Sequence, residues 1–134
     1  MELTPEEQDL LVAGLRALGD RVHRGAGRGA GQMARRLRAD IVETTMELRL
    51  SLPAATELVA RALDALGTRT AALQAVMGAG TMNLNPAVVT VTLSEHDGRA
   101  IAVVRGAAKE GLIRQRAGEK AARRVVEYLA AAQP

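Results

Sequence analysis

A chain of 134 residues with no Phe, no Trp, no Cys and a single tyrosine, Tyr128, has to build its core from small side chains. Aromatic rings normally supply the largest blocks of buried area in a domain of this size. Leu, Val, Ile, Ala and Met must take their place, and such side chains fill space only where backbones approach closely. With 48 % apolar content, the length suits one domain that buries about two thirds of its unfolded surface.

The absence of cysteine excludes disulfide staples, thiolate metal sites and a thiol nucleophile. The opening MELTPEEQDLL lacks the basic-then-apolar pattern of a signal peptide, so the expected address is cytoplasmic. No apolar run is long enough for a membrane span, which needs about 18 residues.

Charge is unevenly placed. All cations except Lys109 and Lys120 are arginine, and the net charge is +3. Residues 21–38 hold six arginines and no acid, and residues 105–134 hold seven cations against three acids. The stretches 1–20 and 39–104 are net acidic. The two basic segments, rather than the total, are the electrostatic clue.

Thr4-Pro5-Glu6-Glu7 has the pattern of a capping box with proline at the first helical position. A helix is predicted from Pro5, with Leu11, Leu15 and Leu18 on one stripe and a stop at Gly19-Asp20. Gly25, Gly27, Gly29 and Gly31 then alternate. Each costs about 1 kcal/mol relative to alanine in a helix, so residues 20–30 are expected to form a mobile loop. A short helix over 31–39 could follow.

From residue 41 the apolar period changes to two, as Val42, Thr44, Met46, Leu48 and Leu50 alternate with Glu43, Thr45, Glu47 and Arg49. That pattern predicts a strand. Pro53 opens a helix that runs through Leu66 and ends at Gly67. Strands are expected over 70–77, 86–94 and 99–106, the last two joined by an Asp97-Gly98 hairpin. Residues 78–86 read as a looped or bulged connection, and a helix over 114–131 closes the chain.

The predicted fold is α+β: an antiparallel sheet of about four strands with two helices on one face, in the order β-α-β-β-β-α, preceded by an N-terminal helical arm. Residues 1–40 form the arm with its glycine- and arginine-rich hinge, and residues 41–134 the α+β domain. The element order resembles the TATA-binding-protein-like and helix-grip architectures. A fold of this kind hosts many functions and implies none.

No catalytic constellation emerges. Gly29-Ala30-Gly31-Gln32-Met33-Ala34 matches a dinucleotide pattern, but the residues before it cannot form the buried strand that the pattern needs. His23 and His96 do not converge with other metal ligands. Ser51 and Ser94 lack a base at a suggestive spacing. No enzyme activity, cofactor or metal is expected.

Three groups could meet an anion or a partner. Arg21, Arg24, Arg28, Arg35, Arg36 and Arg38 resemble arginine–glycine arms that track phosphate backbones. Arg116, Lys120 and Arg124 form a cationic row at i, i+4 spacing on the last helix. Asn83 and Asn85 stand in the loop before the hairpin. The plainer readings are a hinge whose arginines contact the acidic first helix or the acidic strand face, a solvated basic helix, and Asx turns.

The sequence favours a small non-enzymatic interaction module that self-associates through an open sheet face, carrying Val88, Thr90 and Thr92, or through the helical arm. One alternative is weak, salt-dependent and sequence-independent nucleic-acid binding through the arginine-rich segments. Another is an apolar-ligand carrier, which the missing aromatics disfavour.

Overall fold

A computed structural model describes residues 1–22, 27, 29, 37–79, 85–110 and 115–133. Helix α1 spans Pro5–Val22, and its first turn is the expected capping box. The Glu7 amide donates to Thr4 Oγ1 at 3.1 Å, and the Thr4 amide donates to Glu7 Oε1 at 2.9 Å. The helix does not stop at Gly19-Asp20. Asp20 instead stays helical and its Oδ1 accepts from the Gly27 amide at 2.8 Å. Gly27 and Gly29 have helical backbone, and Gly27 is buried against the Arg16 carbonyl and Asp20, a place where a Cβ would collide. Residues 20–22, 27 and 29 of the expected mobile loop are helical, and its other residues lie outside the described ones. At Gly27 the missing side chain allows close approach.

Strand β1 runs Arg38–Leu48, beginning ahead of the expected start at 41, so Arg38 and Ala39 belong to the sheet and not to a helix. Helix α2 spans Leu52–Leu66, with Ser51 as its N-cap and Gly67 as its C-cap. The Gly67 amide donates to the Leu63 carbonyl at 3.0 Å.

The segment expected to form one strand over 70–77 is a hairpin of two, β2 (Thr68–Ala71) and β3 (Gln74–Ala79), turning at Ala72-Leu73. No Gly, Pro, Asn or Asp marks that turn. Strands β4 (Asn85–His96) and β5 (Arg99–Glu110) form the long central hairpin. Its turn residues Asp97 and Gly98 have φ of 51° and 78°, the left-handed pair that a two-residue hairpin requires. β5 continues past the expected end at 106 because it is paired on both sides: Ala107 faces Ile41 of β1 and Val88 of β4. Helix α3 spans Ala117–Ala132.

The five strands form one antiparallel sheet in the order β1-β5-β4-β3-β2. Its alternation assigns the faces. Ala75, Met77, Val89, Val91, Ala102 and Val104 point to one side and join Leu58, Val59, Leu63, Val125 and Leu129 of α2 and α3 in the main core. Both helices therefore cover one face, as expected.

Small residues set the depth of that core. Gly106 of β5 sits against the Gly118 carbonyl, and Gly118 of α3 sits against the Asp40 carbonyl, so a Cβ at either position would meet backbone. Ala117, Ala121 and Ala122 are buried beside them. In this way α3 lies close enough to the sheet for a core without aromatic rings to be filled.

Candidate functional site

On the opposite sheet face the alternation presents Val88, Thr90 and Thr92 of β4 and Val103, Arg105 and Ala107 of β5. This face is not fully open. α1 packs across β4 and β5 of its own chain, Leu11 and Val88 are fully buried, and Gly14 lies close enough to Pro86 that an added Cβ would stand 3.0 Å from its Cβ. These buried residues lie outside the main core cluster and form a second, smaller one. The arm thus lies over its own subunit.

A charged contact holds the arm. Arg105 Nε and Nη2 donate to Glu7 Oε2 and Oε1 at 2.9 and 3.0 Å, a bidentate pair. Arg105 Nη2 also donates to the Glu2 carbonyl at 2.6 Å, and Glu43 of β1 approaches at 3.8 Å. Glu7 is 2 % exposed. Burial pushes its carboxyl up, but the Arg105 hydrogen bond, the Thr4 amide and the Arg105 charge outweigh burial and hold it below the ordinary carboxylate value. The Glu7 hydrogen bond raises Arg105 in turn, against its desolvation.

The arm leaves a strip of this face. Thr45 and Thr92 are exposed, and Ile101 and Val103 are half-buried, bordered by the Glu47–Arg99 ion pair at 3.0 Å. On the far side of the strip a polar ladder crosses three strands: Thr70 Oγ1 donates to Gln74 Oε1 at 3.0 Å, and Gln74 Nε2 donates to Thr90 Oγ1 at 3.1 Å. Gln74 is buried with both ends satisfied.

The sheet ends differ in length. β2, with four residues, closes one edge, and β1, with eleven, closes the other. Beside the β1 edge, on the helix side, lies a groove of about 240 Å³ lined by Val42, Thr44, Glu119, Arg123 and Val126.

The basic candidates are dispersed. Arg21 is exposed near the end of α1, beside Ala17, Leu18, Val76 and Pro86. Arg38 is exposed at the start of β1, opposite Glu110 in the register. Arg116 caps α3 with left-handed backbone, φ 53°, and approaches Glu119 at 3.9 Å. Lys120 is exposed. Arg124 Nη1 donates to the Gly78 carbonyl at 3.0 Å and so ties α3 to β3. Asn85 Nδ2 donates to the Lys109 carbonyl at 2.9 Å. Arg24, Arg28, Arg35, Arg36, Asn83 and His23 lie outside the described residues.

The N-terminus of α3, a natural place for an anion, is occupied by the protein's own carboxylates. Glu110 accepts from the Gln115 and Ala117 amides, each at 3.2 Å, and Asp40 Oδ2 accepts from the Glu119 amide at 3.1 Å. These roles, like that of Arg105, gave no signal in the sequence, because each partner lies on another element. Lys109 is also buried, its Nζ donating to the Leu37 carbonyl at 3.1 Å, and burial pushes its pKa down.

Among the described residues no group of His, Asp or Glu is arranged to hold a metal ion, and no helix is long and apolar enough to cross a membrane. Comparison with known proteins finds no matching family model, no matching curated protein and no matching solved structure.

Proposed function

We propose that this chain is a small, non-enzymatic interaction module that associates with a second copy of itself. The observation that carries this reading is the incomplete cover of the sheet. α1 seals the end of the face around Val88 but leaves Thr45, Thr92, Ile101 and Val103 beside an eleven-residue edge strand. Unpaired edges are a template for another strand unless they are short or blocked.

The placement of charge supports the same reading. Arg69, Arg99, Arg105 and Arg123 pair with Asp64, Glu47, Glu7 and Glu119 at 2.9 to 3.1 Å, which spends cations within the fold that a phosphate backbone would otherwise recruit. The cysteine-free sequence fits a cytoplasmic setting.

Light scattering on the full chain tests the proposal. The expected species has twice the 14.1 kDa chain mass. A monomer at every concentration measured would overturn the reading.

A further inference from the structure

We propose that β1 is the seam of a two-fold dimer, pairing antiparallel with β1 of a second copy about an axis at Thr44. This rests on the self-association reading above and names its interface. Three observations converge on that strand: it ends the sheet, it is eleven residues long, and it borders a groove with half-buried Val42 and Val126 and oppositely charged Glu119 and Arg123.

Side-chain alternation restricts the register. Even-numbered residues of β1 face α3 and odd-numbered ones face the α1 side, as the pairing of Val42 with Gly106 and of Glu43 with Arg105 shows. A two-fold axis normal to the sheet keeps both faces aligned only where a residue lies on the axis. An axis at Glu43 sets that carboxylate against its own copy. An axis at Thr45 sets Glu43 against Glu47 of the second copy. Like charges directly opposed destabilise a strand pair.

The axis at Thr44 avoids both conflicts. Glu43 then faces Thr45, Ile41 faces Glu47, and Val42 faces Met46 twice, once on each side of the axis. An axis at Val42 also avoids like charges, but it sets Arg38 against Met46 and keeps a single Val42 contact. Glu43 and Glu47 thus exclude the axes at Glu43 and Thr45 rather than block the edge, and Thr44 is the axis that doubles the Val42–Met46 contact.

The last helix adds charge complementarity. α3 runs alongside β1 in the same direction, since the Glu119 amide bonds Asp40 near one end and Gln133 bonds the Arg49 amide at the other. The helices of the two copies therefore flank the axis antiparallel. The row Glu119, Arg123, Glu127 alternates in sign, and an axis level with Thr44 brings Arg123 toward Glu127 of the other copy.

Because the chain has no cysteine, Thr44→Cys places a single thiol on the axis. Opposed Cα atoms in an antiparallel pair lie about 4.5–5.5 Å apart, within disulfide reach. Val42→Cys would leave its two thiols about 13 Å apart along the strands. Mild oxidation should give a covalent dimer from Thr44→Cys and none from Val42→Cys. Thr44→Lys should reduce the dimer to a monomer with unchanged circular dichroism. Cross-linking through Val42→Cys instead would overturn the register. A dimer that survives Thr44→Lys and gives no Thr44→Cys cross-link would overturn the seam while leaving self-association standing. A monomeric wild-type chain would end both proposals.

Discussion

Glu7 of α1 and Arg105 of β5, 98 residues apart in sequence, share two hydrogen bonds of 2.9 and 3.0 Å. Glu7 Oε1 also accepts from the Thr4 amide. One carboxylate therefore both starts the first helix and fixes that helix to the sheet. Local and tertiary structure meet in a single side chain, on the helix that buries Leu11 and Val88.

Glu7→Gln keeps the shape and the reach of the capping box but removes the charge opposite Arg105. Arg105 would remain largely buried with Glu43 at 3.8 Å. Removing one partner of a buried pair costs about 3–5 kcal/mol, and partial compensation by Glu43 should bring the loss toward about 3 kcal/mol. Urea unfolding checks this, and Glu7→Ala should cost about 1 kcal/mol more through the lost cap.

The same pair sets an acid limit. The native Glu7 pKa is below its ordinary value of 4.5, so the folded state binds the proton less readily than the unfolded chain. Its contribution is complete above 4.5 and falls away as pH drops through the lower native value. Unfolding free energy measured against pH should decline in that window for the wild type. In Glu7→Gln the decline should be shallower.

Gly118→Ala should destabilise the fold by about 1–3 kcal/mol or more, because the new methyl meets the Asp40 and Gly106 carbonyls and neither backbone can withdraw from the sheet. Gly29→Ala is the contrast. Gly29 is helical, exposed and without a neighbour near an added Cβ, so that change should be neutral or stabilise by up to about 1 kcal/mol. Thermal melts should show a lowered midpoint for Gly118→Ala and an unchanged or raised one for Gly29→Ala.

A chain starting at Leu37 should keep the circular dichroism expected of the sheet, α2 and α3, since no residue of α1 belongs to the main core cluster. Removal of α1 uncovers Val88 and Ala107, both fully buried in the intact chain. Dye binding and association should therefore increase. An unfolded truncated chain would show that the smaller core is required for the larger one.

The sequence alone determined the features whose causes are local. The Thr4/Glu7 box, the helix that ends at Gly67 and the Asp97-Gly98 turn all rest on residues within a few positions of each other. Spacing reads them directly, and the alternation of β1 and β4 gave the antiparallel sheet. The tertiary structure decided whatever depends on a distant partner. A turn at Ala72-Leu73 without turn residues is held because β3 pairs with β4. β5 runs to Glu110 because strands flank it on both sides. Arg124, read as part of a cationic row, bonds the Gly78 carbonyl, and Glu110, at the end of β5, accepts from the first amide of α3. Only tertiary structure decided, too, that the arm lies over its own sheet, because Arg105 chooses its carboxylate by position in space, and spacing along the chain carries no trace of that choice.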